Sequence, residues 1–171
     1  MDAARWLDRL SAHDRTLLDR WAIDGETAAL IRRGWLVVTQ LGSATFTIGS
    51  VLAPLLVHAW PRAASWRAGW ALAVSHLAVQ ALKRRVNRER PATTPVIDCP
   101  DQFSFPSGHA TASLAIAATY ALFFPTFAGP LLALGLLAGW SRVALGVHYP
   151  GDVLAGQLLA AASVIGVQLL R

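Results

Sequence analysis

FPSGHATASLAIAATYALFF, residues 105–124, decides the fold of this chain. From residue 110 onward it carries no charge and reads as one apolar helix of Ala, Leu, Ile and Phe. Its opening does not fit lipid. Pro106, Ser107, Gly108 and His109 put a polar turn and an ionisable ring at the mouth of that helix. A helix start leaves backbone N–H groups without partners and carries the positive end of the dipole. Such an end is a natural seat for an anion. The fold must therefore bring further anion-binding groups to the same place.

Composition says what surrounds that helix. Hydrophobic residues make up 54% of the 171 residues and charged residues 15%, with a mean hydropathy of +0.44. Soluble domains are about a quarter charged, so the chain reads as an integral membrane protein. The net charge is +5, but many of the basic residues sit in one tract between apolar spans. A nucleic-acid reader would carry them on an exposed face or arm, so no nucleic-acid partner is expected. The single cysteine, Cys99, makes no intrachain disulfide and no thiolate metal cluster. Residues 1–34 are studded with Arg and Asp and lack an apolar core, so no cleavable signal peptide is expected. Oligomeric state is not legible from the sequence.

Working outward, five apolar spans are predicted, at 34–59, 64–82, 108–124, 127–145 and 151–170. Each is close to the roughly 20 residues that cross a bilayer. Pro61, Pro125, Pro130 and Pro150 punctuate the junctions. Gly135 and Gly139 form a small-xxx-small pair suited to close helix approach. Scattered polar residues such as Gln40, Ser43, Thr45, His58 and His76 read as interhelical hydrogen-bonders. Residues 5–23 place Trp6, Leu7, Leu10, Leu17, Leu18 and Trp21 at helical spacing among charges, which predicts an amphipathic helix in the membrane interface. The fold class is all-α: a transmembrane helical bundle of about five spans, preceded by an interfacial helix. The organisation is an N-terminal helix and linker at 1–33 and a transmembrane domain at 34–171.

Alternation across the membrane then gathers the polar residues. The second span ends at Lys83, the third starts near His109, the fourth ends near Arg142, and the fifth starts just after His148. All four ends share one face. The tract KRRVNRERP, 83–91, contributes Lys83 and Arg90, which share a face if the helix continues. Ser107 can cap the third span, and Gly108 lets a ligand approach the backbone. In SRVALGVHYPGD, 141–152, Arg142 and His148 flank the end of the fourth span, and Pro150 suits the first position of the fifth helix. Asp152 follows His148 by four residues and can hold one ring nitrogen, leaving the other as a nucleophile. Cations and N–H donors around two histidines and a carboxylate suit phosphoryl transfer, with one His attacking in line and the other protonating the leaving oxygen. No carboxylate cluster suits Mg²⁺ and no Cys/His spacing suits Zn²⁺. No metal or cofactor is therefore expected, and the arginines take the metal's role.

These three segments resemble the signature motifs of the type 2 phosphatidic acid phosphatase superfamily. Lys, six residues, Arg-Pro is matched by Lys83, Arg90 and Pro91. Pro-Ser-Gly-His is matched by 106–109. Ser-Arg, five residues, His, three residues, Asp is matched by Ser141, Arg142, His148 and Asp152. The resemblance covers under half of the chain and leaves the N-terminal third outside any motif. Family members usually have six spans, and here the interfacial helix stands where the first would be. The resemblance implies that His148 is the phosphorylated nucleophile, Asp152 its partner and His109 the acid. It implies that Lys83, Arg90, Ser107, Gly108 and Arg142 hold the phosphate.

The expected function is hydrolysis of a lipid phosphate monoester of the phosphatidic acid, phosphatidylglycerol phosphate or polyprenyl phosphate type, through a phosphohistidine. A polyprenyl pyrophosphate is the alternative substrate. A non-catalytic lipid-binding protein is the alternative of another class, and an intact His148, Asp152 and His109 speak against it. The partners expected are the lipid phosphate and the bilayer, in the cell (inner) membrane. After the phosphate ligands are set aside, the site face still carries Arg5, Arg9, Arg15, Arg20, Arg32, Arg33, Arg84, Arg85 and Arg88, against Arg62, Arg67 and Arg171 opposite. The positive-inside rule then puts the site on the cytoplasmic side.

Overall fold

The structure, a computed structural model, describes residues 3–23, 27–92, 97 and 101–170, with side chains from residue 12 onward. Cys99 lies outside the described residues. Seven α-helices run through them: α1 Ala3–Trp21, α2 Ala29–Thr39, α3 Ala44–Leu52, α4 Arg62–Val86, α5 Gly108–Phe123, α6 Ala128–Ala144 and α7 Pro150–Leu169. The all-α expectation holds, with one isolated bridge, Glu89 to Phe103, as the sole β pairing among the described residues.

The helix read first from the sequence is the axis of the bundle. α5 packs against α4, α6 and α7. Its buried face is built from Ala110, Thr111, Ser113, Ala115, Ala117 and Thr119, side chains short enough to let neighbours close in. Thr111 donates to the Ser107 carbonyl and Thr119 to the Ala115 carbonyl, both at 2.8 Å, while Ser113 reaches across to the Gly135 carbonyl of α6 at 3.0 Å. The predicted Gly135–Gly139 pair lies on α6 against this face. A Cβ at Gly135 would stand 2.7 Å from the Ala117 Cβ, and one at Gly139 would stand 3.1 Å from the Ala110 Cβ. Outward, Trp66, Trp70 and Leu77 of α4 and Leu154, Leu158 and Ile165 of α7 are exposed, a surface that suits lipid rather than water.

The spans differ in how far they match the expectation. Residues Pro125–Ala144 and α7 are each long and apolar enough to cross a bilayer. The run expected at 34–59 is a bent pair, Ala29–Gly42 and Ala44–Leu56, with a 50° angle at the break, and counts as one further candidate. Ser43 makes the break. Its backbone is extended (φ −69°, ψ 153°) and its Oγ accepts from the Phe46 N–H at 3.2 Å, starting α3 afresh. The 25 residues of α4 span ~37 Å at 1.5 Å per residue, but Arg62, Arg67 and a basic last turn dilute its hydropathy. α5 has 16 residues, or ~24 Å, and is enclosed by its neighbours, so it has no need to match the lipid thickness.

α1 closes over the site end. Leu18 is buried in a cluster with Ala110, Val143, Tyr149 and Val153. Trp21 meets Trp140 edge-on at 5.7 Å, and the Ile23 N–H donates to the Ala144 carbonyl at 2.8 Å. The amphipathic stripe read from the sequence is thus partly taken up by the bundle. The opposite end is marked by Trp60, whose ring lies 5.7 Å from Tyr120 and 5.0 Å from Phe124.

Candidate active site

Two helix starts form the floor of the site. Ser107 caps α5, its side chain facing the Ala110 N–H. The Ser107 N–H donates to the Asp152 carbonyl at 3.0 Å, which stitches the start of α5 to the first turn of α7. Gly108 and His109 are the first two residues of α5, and Pro150 is the first of α7, as the sequence predicts. The bend in the first span reaches this floor too. A Cβ on Gly42 would stand 2.7 Å from the His109 carbonyl oxygen.

His148 is set by the turn between α6 and α7. The Val147 and His148 N–H groups both donate to the Arg142 carbonyl, at 3.1 and 3.2 Å. Its ring is buried, with Nδ1 facing Asp152 Oδ2 at 3.6 Å and Nε2 facing Arg90 Nη1 at 3.2 Å. A guanidinium has only protons to offer, so Nε2 must be the acceptor and Nδ1 carries the hydrogen. The lone pair therefore points toward the cations. The Nδ1–Asp152 approach is a few tenths of an ångström beyond hydrogen-bond range, as catalytic contacts often are before substrate binds. Burial, reinforced by Arg90 and Arg142 and opposed by Asp152, lowers the His148 pKa from 6.5 to about 4. The ring is neutral at pH 7, the state a nucleophile requires.

The cations converge from three segments. Arg142 is buried on α6, and its Nη1 donates to Thr39 Oγ1 at 3.1 Å. Lys83 is buried in the last turn of α4. The helix does not continue to Arg90 as the sequence reading allowed: α4 stops at Val86, and Asn87 turns left-handed at φ 50°. Lys83 and Arg90 meet instead on Asp101. Lys83 Nζ lies 2.6 Å from Asp101 Oδ2, and Arg90 donates to Asp101 Oδ1 and, at 2.9 Å, to the Asp101 carbonyl. His109 lies within electrostatic reach of Arg142, His148, Asp101 and Arg90. Every site residue named from the sequence thus falls at one end of the bundle.

Four residues were missed. Asp101 sits in the connection between α4 and α5, where no spacing ties it to the motifs. Thr39 was part of an apolar run. Arg88 was counted as a basic flank, and Asp14 as one charge on an amphipathic helix. Yet Arg88 Nη1 lies 2.7 Å from Asp152 Oδ1 and Nη2 lies 2.8 Å from Asp14 Oδ2. The one available signal was that Arg88 lies inside the Lys83–Pro91 motif.

Asp101 occupies the cations expected to hold phosphate. Burial works to raise its pKa, but hydrogen bonds and charge from Lys83 and Arg90 outweigh burial and hold it below 3.8. It is therefore a carboxylate at neutral pH, and an incoming anion has to displace it. Asp101→Asn should tighten vanadate inhibition by up to about 5-fold, the worth of a part-exposed ion pair of ~0.2–1 kcal/mol. Inhibition constants for both proteins at pH 7 check this, and weaker inhibition in the variant would contradict it. A cleft of 580 Å³ opens beside Arg90, between α1 and residues 88–92, with Arg15, Asp19, Glu89 and Tyr149 in its walls. Among the described residues no group of three His, Cys, Asp or Glu side chains is placed to hold a metal ion.

The chain is similar to several known phosphatases. The chain is 37% identical over 150 residues to the decaprenylphosphoryl-5-phosphoribose phosphatase of Mycobacterium tuberculosis, covering 78% of this chain and 80% of that one. It is 30% identical over 150 residues to the phosphatidylglycerophosphatase B of Bacillus subtilis, covering 77% and 73%. Its fold matches the crystal structure of a transmembrane PAP2 type phosphatidylglycerolphosphate phosphatase from Bacillus subtilis with a TM-score of 0.75 at 23% identity, over 94% of this chain and 85% of that one. The sequence model of the PAP2 superfamily matches residues 64–170, from the first turn of α4 to the end of the bundle, and the chain belongs to that superfamily.

Proposed function

We propose that this protein is an integral membrane phosphatase that hydrolyses a lipid phosphate monoester through a phosphohistidine on His148. The observation that carries the reading is the His148 ring: buried, its Nδ1 turned to Asp152 and its Nε2 to Arg90. In the first step Nε2 attacks phosphorus, the bond from phosphorus to the lipid oxygen breaks, and protonated His109 gives that oxygen its proton. In the second step His109 takes a proton from water, the hydroxide attacks phosphorus, and the P–N bond breaks with its electron pair returning to Nε2. Lys83, Arg90, Arg142 and the start of α5 at Ser107 and Gly108 hold the phosphoryl oxygens through both steps.

The geometry supports a lipid carrier. The polar cleft beside Arg90 has room for a head group. An apolar groove of 160 Å³, lined by Leu41, Phe46, Ile116, Tyr120, Leu131 and Leu134, offers a path for a chain between α3, α5 and α6. Phosphatidic acid, phosphatidylglycerol phosphate and polyprenyl-linked phosphates are the substrate types, and the Mycobacterium tuberculosis relative favours the polyprenyl-linked kind. Residues 34–171 form the catalytic domain in this reading, with 1–33 an interfacial segment. The protein sits multi-pass in the cell (inner) membrane with its site toward the cytoplasm. The arginine excess supports that orientation, although Arg88 is paired with Asp14 and Asp152 and drops out of the count.

Phosphate release from a panel of these lipids in detergent tests the proposal. Release is expected to persist in EDTA and to be inhibited by vanadate, whose trigonal-bipyramidal form mimics the transition state. Loss of release on chelation, restored by Mg²⁺, would contradict the mechanism. Failure to release phosphate from any lipid of the panel would contradict the function.

A further inference from the structure

Asp152 does more than face His148. Its carboxylate is fully buried, and each oxygen has a fixed partner. Oδ2 accepts from the Tyr149 N–H at 2.9 Å and faces His148 Nδ1, while Oδ1 takes Arg88 Nη1 at 2.7 Å. Arg88 is itself clamped. Its Nη2 reaches Asp14 Oδ2 at 2.8 Å, and its guanidinium carbon lies 4.2 Å from the centre of the Tyr149 ring. Asp14 has a second anchor, since its Oδ1 accepts from the Gly151 N–H at 2.9 Å. The approach is close: a Cβ at 151 would stand 2.6 Å from Asp14 Oδ2 and push that carboxylate aside. Burial works to lower the Arg88 pKa, but Asp152 and Asp14 together outweigh burial and raise it, so the bridge stays charged.

We propose that Asp14 of the N-terminal helix and Arg88 form a positioning relay that locks the Asp152 carboxylate toward His148, which makes α1 part of the catalytic apparatus. This rests on His148 being the nucleophile. The physical case is one of alternatives. A buried carboxylate with one oxygen unpaired would be costly and free to rotate about its last torsion. Two-point contact from Arg88 and the Tyr149 N–H removes that freedom and leaves one lone-pair direction for the imidazole N–H. Arg88 cannot be such a clamp by itself, because it comes from a loop and points where Asp14 and the Tyr149 ring hold it. Docking of α1 through Leu18, Trp21 and Ile23 therefore sets an atom position at the nucleophile's partner. Arg88 also lines the cleft beside Arg90, but its guanidinium is taken up by Asp152, Asp14 and the Tyr149 ring, so the relay is expected to act on turnover rather than on substrate binding.

Arg88→Gln, Arg88→Lys and Asp14→Asn test the relay in the full chain, with His148→Ala alongside. Arg88→Gln is expected to lower kcat by about 10–100-fold with KM unchanged, the scale for outer partners of an oriented histidine. Arg88→Lys should recover part of that loss, since a cation at the position restores the contact with Asp152 Oδ1. Asp14→Asn should show a smaller loss in kcat, again without a change in KM, and it covers the case in which Arg88→Gln fails to fold. A rise in KM at constant kcat would overturn the relay and make Arg88 a substrate ligand. An unchanged kcat in Asp14→Asn and Arg88→Gln, or equal losses for Arg88→Gln and Arg88→Lys, would also overturn it. Turnover retained in His148→Ala would instead remove the nucleophile assignment.

Discussion

His148→Ala is expected to reduce turnover to background on every substrate, lipid or aryl, a loss on the order of 10⁶, as for other catalytic nucleophiles that work within a unit. Nε2 faces the cations that would hold phosphorus, and Nδ1 is turned to Asp152. The variant should still fold. Arg90 keeps its bond to the Val147 carbonyl at 2.8 Å and its ion pair to Asp101, and the His148 backbone bond to Arg142 does not involve the ring. Phosphate release from lipid and aryl phosphates, measured on protein of matched thermal stability in detergent, is the check. What remains should be no more than the roughly 10³–10⁴-fold over the uncatalysed rate that binding and charge stabilisation alone supply. Activity near wild type would place the nucleophile elsewhere.

His109→Ala is expected to separate substrates by their leaving groups. A lipid alkoxide leaves poorly without a proton, and general acid catalysis contributes about 10²–10⁴-fold. An aryl oxide such as p-nitrophenolate leaves without that help. The variant should lose about that factor on lipid monophosphates and keep a rapid first release of p-nitrophenol. Its second step is slowed because water loses its base, so steady-state aryl turnover is spared only in part. Equal loss of the first step on both substrates would make His109 a phosphate-binding cation instead of an acid. His109 is the second residue of α5, in its first turn.

Much of this was legible before the structure. An uncharged run behind Pro-Ser-Gly-His gave α5, Gly135 and Gly139 gave its close partner α6, and alternation of spans gathered Lys83, Arg90, His109, Arg142, His148 and Asp152 at one end. Those signals are periodicity, hydropathy and fixed spacing, which survive in one dimension. What stayed hidden depends on angles and on contacts far apart in the chain. Hydropathy cannot register the 50° bend at Ser43, because a capping serine in an apolar run looks like any interhelical hydrogen-bonder. Asp14 on α1 has the same composition signal as a solvated charge, and its pairing with Arg88 is 74 residues away. Asp101 lay in a long connection without periodicity. Arg90 shares a face with Lys83 only if the helix continues, and the left-handed Asn87 brings it to the site by a turn instead.

The account stands on one covalent bond, and trapping it is the most direct test. His109→Ala protein given p-nitrophenyl phosphate should accumulate the intermediate, since it forms readily and is hydrolysed slowly. Quenching in alkali, which preserves phosphoramidates, followed by peptide mass spectrometry and phosphorus NMR, would locate the phosphoryl group. The predicted result is a phosphohistidine at His148 bonded through Nε2, absent when His148 is also replaced. A phosphoryl group on Nδ1 or on another residue, or phosphate release with no labelled protein at any quench time, would contradict the account.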